Sequence, residues 1–351
     1  MHFPMSATSG GFMNDIGLSI NSRGETSDEE LIAIAKLADD LGYHSFWTAE
    51  SWGRDAFTIL TMIACHTENI RLATGIVNIY SRTPALLAQT IASLDIISKG
   101  RAILGLGSSG KVVVEGWHGV PFDSPLARTR EYIEIIRKAL SGAPVNHQGK
   151  FYTMDRFRMI SPPVQKRLPI YVASLGPKNL ELTGELADGW LPIWANRERI
   201  PDLKEQLNVG AARSGRNVDD VTIAPYLMCY VSEGDEDLAH GAGLLRAHMA
   251  YYIGGMGSYY FDSFSRAGFA EEAKAVRDAW SSRDREQAAN SVTDNMLESV
   301  VVLGDPQQCR DQIAKFRQAG VDMPVMTFPH GASPETIHRT IKALAPQAGE
   351  Q

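Results

Sequence analysis

The sequence predicts an α/β protein built as a (β/α)8 TIM barrel, with insertions after its fourth and seventh strands. Three observations carry this. Short apolar strands alternate with amphipathic helices along nearly the whole chain. The count of strands reaches eight, the number that closes a barrel rather than leaving an open doubly wound sheet. No Pro- or Ser-rich linker divides the 351 residues into two open-sheet halves, so residues 1–351 are expected to form one domain.

Residues 1–14 have no periodic pattern and are expected to be a loose arm. The first strand is expected over Asp15 to Asn21. A helix from Asp28 to Leu41 follows, with Leu31, Ile34, Ala35 and Ala38 at helical spacing and Gly42 closing it. Ser45 to Glu50 is the second strand and Ala56 to His66 the second helix. The stretch from Leu72 to Gly107 holds two apolar strands around an amphipathic helix, and both strands end in small residues, where backbone can approach a ligand. Residues 111–125 form the first insertion, Pro125 to Leu140 is helical, and residues 145–155 alternate around Gln148-Gly149 like a hairpin.

The second half keeps the rhythm. Ile170 to Ser174, Gly189 to Trp194 and Thr222 to Val231 are strands five to seven, with helices over Pro177 to Ala187 and Ile200 to Ser214. The second insertion, 235–296, is mostly helical and rich in Gly, Tyr and Ala. A helix over Pro306 to Ala319 then leads into the last strand, Met323 to Phe328.

Composition excludes several classes. A net charge of −7 argues against a nucleic-acid or anionic-membrane surface, which needs clustered Lys and Arg. Cys65, Cys229 and Cys309 are far apart, so neither a disulfide framework nor a zinc site is expected. The N-terminus lacks the basic start and apolar run of a signal peptide, and no apolar stretch is long enough to span a bilayer. A cytoplasmic protein without metal is the expectation, since none of the nine histidines has ligand spacing with a carboxylate or Cys partner.

In a (β/α)8 barrel the functional face lies at the C-terminal ends of the strands. This gathers Glu50-Ser51-Trp52, Gly75 to Asn78, Gly107 to Lys111, Ser174 to Asn179, Trp194 to Asn196 and Pro329-His330 on one rim. The same rule puts His44 on the stability face, and His66 ends a helix.

An ordered series of motifs resembles the luciferase-like flavin and deazaflavin oxidoreductases. It comprises Leu41-Gly42-Tyr43 leading to Glu50, ATGIVNIYSR, TPALLAQTIASLD, SKGRAILGLGSSG, GVPF at Gly119 to Phe122, the segment 170–192, and GDPQQCRDQIAKFRQAGVD at 304–322. The sequence is most similar to the branch that uses coenzyme F420, an 8-hydroxy-5-deazaflavin, which includes the methylenetetrahydromethanopterin reductases. The resemblance implies hydride transfer between the deazaflavin C5 and a small organic substrate. It also implies a homodimer formed through helices of the barrel's first half. FMN-dependent monooxygenation is the alternative chemistry within the family, and a non-catalytic flavin-binding protein is the alternative outside catalysis.

The resemblance places a non-proline cis peptide at Gly75-Ile76, as a bulge against the face of the cofactor ring. It assigns the loop Ser174-Leu175-Gly176-Pro177-Lys178-Asn179 to the cofactor's phosphate, which agrees with the anion preference of a helix start. Gly107, Ser108 and Ser109 form a second loop with backbone clearance and hydroxyl donors. Gly105, Gly107 and Gly110 match the spacing of a dinucleotide fingerprint but have no acidic partner at the required distance.

Glu50 ends an apolar strand over the barrel mouth and is expected to be the general acid or base, with loss of water favouring its protonated form. Its alternative is a structural hydrogen bond with Ser51, Arg54 or a backbone amide. The family commonly has His after the acidic residue, where this chain has Ser51. Trp52 is expected to shield the ring from water, or else to cover the core edge. Asn78 suits either the polar edge of the ring or a loop amide role. His118 and His330 are the candidate substrate ligands. The stripe Tyr251, Tyr252, Met256, Tyr259, Tyr260, Phe261 and Phe264 reads as a mixture of core and a lid over the barrel mouth.

Overall fold

The computed structural model describes residues 15–20 and 26–346, so the expected N-terminal arm and Asn21 lie outside the described residues. The strands are β1 (Gly17–Ser19), β2 (Ser45–Thr48), β3 (Arg71–Thr74), β4 (Val77–Asn78), β5 (Ala102–Gly107), β6 (Val145–Gln148) and β7 (Thr153–Phe157). They continue with β8 (Ile170–Val172), β9 (Gly189–Trp190), β10 (Thr222–Ile223), β11 (Tyr226–Val231), β12 (Val301–Gly304) and β13 (Val325–Thr327). The helices of the first half are α1 (Asp28–Asp40), α2 (Ala56–Ala64), α3 (Pro84–Ile97), α4 (Lys111–Gly116), α5 (Pro125–Leu140), α6 (Pro177–Leu186) and α7 (Ile200–Arg213). The second half adds α8 (Asp235–Gly255), α9 (Ser258–Arg266), α10 (Ala270–Ser281), α11 (Arg285–Asn290), α12 (Asp294–Glu298), α13 (Pro306–Gln318) and α14 (Pro334–Ala343).

The large sheet runs β10-β9-β8-β5-β3-β2-β1-β13-β11-β12, and all its pairings are parallel. Only Ala224 and Pro225 separate β10 from β11, so the path returns to its own seventh strand and the barrel closes. Pro225 explains the break. Without an N–H it cannot continue a ladder, and past it the strand exchanges β9 for β13 as its partner.

Alternation along the strands divides the core in two. Trp47, Ala73, Ile103, Tyr171, Leu191, Ala224, Met323 and Val325 point inward and fill the barrel. Their sequence neighbours Phe46, Leu72, Ala102 and Leu104 point outward and pack under the helices. A third apolar cluster lies under α8 to α12, where Leu245, Met249 and Ile253 of α8 meet Met228, Val300 and Val301.

Besides the break of the expected seventh strand at Ala224-Pro225, the expected elements differ from the observed ones in five places. The third strand is not continuous to Asn78 but breaks at Gly75-Ile76 into β3 and β4. The sixth strand stops at Trp190, because Pro192 removes a donor, and only an isolated bridge from Ile193 to Tyr226 continues it. The insertion at 111–125 contains the short helix α4. After the helical insertion comes an unexpected strand, β12, which pairs with Met228 to Val231 of β11. Lastly, α14 follows the eighth strand, started by the Ser333 cap and Pro334.

Candidate active site

The ends of β2, β3, β5, β8 and β9 surround a cavity of about 420 Å³. Its floor is tightly built. The Gly75-Ile76 peptide is cis, where the resemblance placed it. Gly75 N–H donates to Thr48 O at 2.8 Å, Glu50 N–H donates to Ile76 O at 3.2 Å, and the Tyr226 hydroxyl donates to Gly75 O at 3.1 Å. A Cβ on Gly75 would collide with that hydroxyl, and one on Gly107 would come within 2.9 Å of Ile76 Cδ1. Gly75 therefore needs glycine for close approach, whereas at Gly107 the end of the Ile76 side chain would have to shift.

Glu50 lies at the end of β2 with its side chain 11% exposed, and it is held from two sides. Arg82 donates to Oε1 at 2.6 Å and to Oε2 at 2.9 Å, and the Ala56 N–H donates to Oε2 at 3.2 Å. Arg82 also pairs with Asp55, and its guanidinium lies 5.2 Å from the centre of the Phe57 ring. The hydrogen bonds that Arg82 donates to Glu50, opposed by burial, raise the Arg82 pKa further. Asp55 is the cap of α2. Burial would raise its pKa, but the Thr58 side-chain and backbone bonds and the Arg82 charge outweigh this and lower it. The carboxylate of Glu50 thus has a fixed position and a counter-charge.

The wall after β8 is the start of α6. Gly176 is its cap, no side chain caps the first turn, and a Cβ built on Gly176 would meet nothing within 4 Å. Lys178 Nζ lies 3.3 Å and 3.4 Å from the two carboxylate oxygens of Glu181. Asn179 lines the cavity with its Oδ1 buried and without a hydrogen-bond partner. Ser174 Oγ is bonded to Thr183 Oγ1 at 2.9 Å, and the Trp190 indole donates to Ser174 O at 2.9 Å.

Of the residues singled out in the sequence, Glu50, Ser51, Gly75, Ile76, Gly107, Ser108, Ser109 and the whole run Ser174 to Asn179 meet at this one cavity. Trp52, Asn78, His118 and His330 are not on its wall, and neither are Val77, Lys111, Trp194 to Asn196 and Pro329 of the expected rim. Trp52 stands on the loop beyond Ser51, 42% exposed. Asn78 is buried and accepts the N–H groups of Tyr80 and Ser81 at 2.9 Å and 2.8 Å, and its amide nitrogen contacts His118 Nε2 at 3.0 Å; this is the loop amide arrangement. His118 is occupied in the same contact. His330 stacks on His248 of α8, with ring centres 3.9 Å apart, and its N–H donates to His248 Nδ1 at 3.2 Å. That pair fastens the helical insertion to the end of β13.

The aromatic stripe divides between lid and core. Tyr252, Met256, Tyr259 and Tyr260 line the cavity, Phe264 is buried beneath, and Phe261 stacks under Arg277 at 3.4 Å. Burial pushes the Tyr260 phenol pKa up. Sequence reasoning assigned no role to Arg82 or Tyr226. Arg82 lies within the ATGIVNIYSR motif, and Tyr226 directly follows the strand-breaking Pro225, which are the signals available for them. Among the described residues no group of three or more His, Cys, Asp or Glu is placed to hold a metal ion, and no helix is long and apolar enough to cross a membrane.

A closed parallel barrel with this glycine-built floor defines the class. Residues 14–323 match the luciferase-like monooxygenase family, and the chain belongs to it. More particularly, it is 34% identical over 89% of its length, and 94% of the relative's, to a Mycobacterium tuberculosis protein that carries the name of a coenzyme F420-dependent oxidoreductase. It is 32% identical to the 5,10-methylenetetrahydromethanopterin reductase of Archaeoglobus fulgidus, over 86% of this chain and 90% of that one. The solved F420-dependent tetrahydromethanopterin reductase of Methanopyrus kandleri superposes with a TM-score of 0.81 at 27% identity, covering 95% of this chain and 97% of that one.

Proposed function

We propose that this chain is a coenzyme F420-dependent oxidoreductase that exchanges a hydride with a small organic substrate. The observation that carries the reading is the likeness, over nearly the whole chain, to F420-named relatives. The residues at the cavity fit such a cofactor. The uncapped start of α6 suits a phosphate, because unpaired N–H groups and the helix dipole favour an anion there. The buried, unpartnered Asn179 side-chain oxygen suits a hydroxyl of the cofactor's polyol chain. Gly75, Ile76 and Gly107 leave a surface against which a flat ring can lie.

When bound, the deazaflavin supplies a hydride at C5 and reacts poorly with oxygen. The protein's tasks are then to orient, to exclude water and to handle one proton. In the reductive direction a substrate carbon gains the hydride and its neighbouring heteroatom gains a proton. We assign that proton to Glu50: in the oxidative direction its carboxylate, which Arg82 fixes at the cavity wall, takes the proton from the heteroatom, and in the reductive direction the neutral acid, protonated from water, returns it. Ser51, Ser108 and Ser109 serve as hydroxyl donors to the cofactor, and Trp52 shields the mouth. We place the protein in the cytoplasm, which free Cys65, Cys229 and Cys309 support. We infer a homodimer, supported by Leu86, Ile96 and Ile97 exposed on α3 in the barrel's first half.

Titration with F420 and with FMN, followed by tryptophan quenching, tests the cofactor. F420 should bind at least about tenfold more tightly. Equal or tighter binding of FMN would replace this reading with the flavin monooxygenase one.

A further inference from the structure

The substrate side of the same cavity has a chemistry of its own. Among the described residues that line it, only Glu50 and Lys178 carry charge. Glu50 is matched by Arg82 at 2.6 Å and 2.9 Å, and Lys178 is paired with Glu181 at 3.3 Å beside the helix start that suits a phosphate. Among the described lining residues no charge is left to meet an ionic substrate, which would lose its hydration on entry without gaining an ion partner from them.

What remains is apolar and aromatic. Leu126, Ile193, Tyr252, Met256, Tyr259 and Tyr260 supply this wall, and Tyr252 and Tyr260 meet edge to face with ring centres 4.7 Å apart. Their phenols are neutral hydrogen-bond donors, suited to one carbonyl or hydroxyl on an otherwise greasy molecule. The apolar character continues outside. Leu126 and Tyr259 are 38% and 43% exposed, and beside the lining loops stand Trp52 at 42% and Val112 at 66%. Large apolar side chains exposed on and next in sequence to the lining segments suit a surface that meets apolar matter.

We propose that the substrate is an uncharged, mainly apolar molecule bearing one hydrogen-bonding oxygen, and long enough to lie across the rim at Val112 and Tyr259. The proposal rests on the F420 reading of the site, since it takes the polar loops as the cofactor's share of the cavity.

The test uses enzyme loaded with F420, reading the fluorescence of the bound cofactor. The probes are the methyl ketones from 2-butanone to 2-nonanone, against glucose 6-phosphate. Affinity is expected to rise about two- to fourfold for each added methylene, with glucose 6-phosphate at least about tenfold weaker than 2-nonanone. Val112→Lys should weaken 2-nonanone several-fold while leaving 2-butanone and F420 affinity unchanged. A flat response to chain length, tighter binding of the sugar phosphate, binding of none of the probes, or a Val112→Lys variant with wild-type 2-nonanone affinity would overturn the proposal. If F420 itself fails to bind, the cofactor reading falls first and the substrate class with it. F420 binding alongside preference for the anion would remove the substrate class alone.

Discussion

Replacing Arg82 with Met removes the counter-charge from a carboxylate that has little access to water. Arg82 and Glu50 side chains are 16% and 11% exposed, and two hydrogen bonds of 2.6 Å and 2.9 Å join them. Removing one partner of a buried pair costs about 3–5 kcal/mol, because the other charge is left uncompensated. The low end applies, since Glu50 keeps the Ala56 N–H at 3.2 Å and faces a cavity. Asp55 adds little: its side chain is 41% exposed, and exposed pairs contribute about 1 kcal/mol or less. A loss of about 3 kcal/mol is therefore expected for Arg82→Met in urea unfolding followed by circular dichroism. In the double variant Arg82→Met, Glu50→Gln, the neutral amide needs no counter-charge, and about 2 kcal/mol should return. A single-variant loss below about 1 kcal/mol, or additivity within about 0.5 kcal/mol in the cycle, would refute the reasoning.

Three further outcomes follow from the same geometry. Glu50→Gln should leave F420 affinity intact and lower kcat by about 10²- to 10⁴-fold, the range for losing a proton-transfer group; unchanged kcat in steady-state assays removes Glu50 from the chemistry. Gly75→Ala should cost about 1–3 kcal/mol in urea unfolding, because its Cβ would meet the Tyr226 hydroxyl. Adding Tyr226→Phe should recover part of that, and no recovery would mean the collision is not the cause. Burial, helped by the Arg71 charge, lowers the His44 pKa to about 4. His44 is therefore neutral in the folded protein, and its share of stability is present above pH ~6.5 and lost as pH falls toward ~4. His44→Gln should flatten stability over that window, as read by thermal melts at stepped pH, and an unchanged slope would contradict the shift.

Much of the barrel was legible because local signals agree with the fold. Ser27, Thr83, Asp305 and Gly176 begin helices where capping rules expect a start, and apolar runs mark most of the strands. What escaped has a physical cause in each case. The Val301 to Gly304 strand is four residues long and follows a helical section, so no period distinguishes it. Conversely, Ser333-Pro334 announces α14 by the very rules used elsewhere, with Ile337 and Ile341 one turn apart. The breaks at Gly75 and Pro225 are visible as residue types, but the exchange of strand partners that they permit is tertiary.

The cofactor loops were readable for the same reason as the helices: glycine, serine and a helix start have local meaning. Arg82 and Glu50 lie 32 positions apart, and no spacing rule joins them. Asn78, His118 and His330 had the right chemistry and the right end of the barrel. Asn78 closes a local turn onto the amides of Tyr80 and Ser81, two and three residues on; the Asn78–His118 contact and the His248 partner of His330 span 40 and 82 positions and are supplied only by the fold.

The central claim is that the cavity at the strand ends is built for a deazaflavin. Purifying the protein from a host that makes both F420 and FMN, and recording a native mass spectrum of the complex, tests it most directly. The added mass of F420 is predicted, and it should be lost when Gly176→Asp places a carboxylate at the start of α6. The mass of FMN on the wild-type protein would contradict the account.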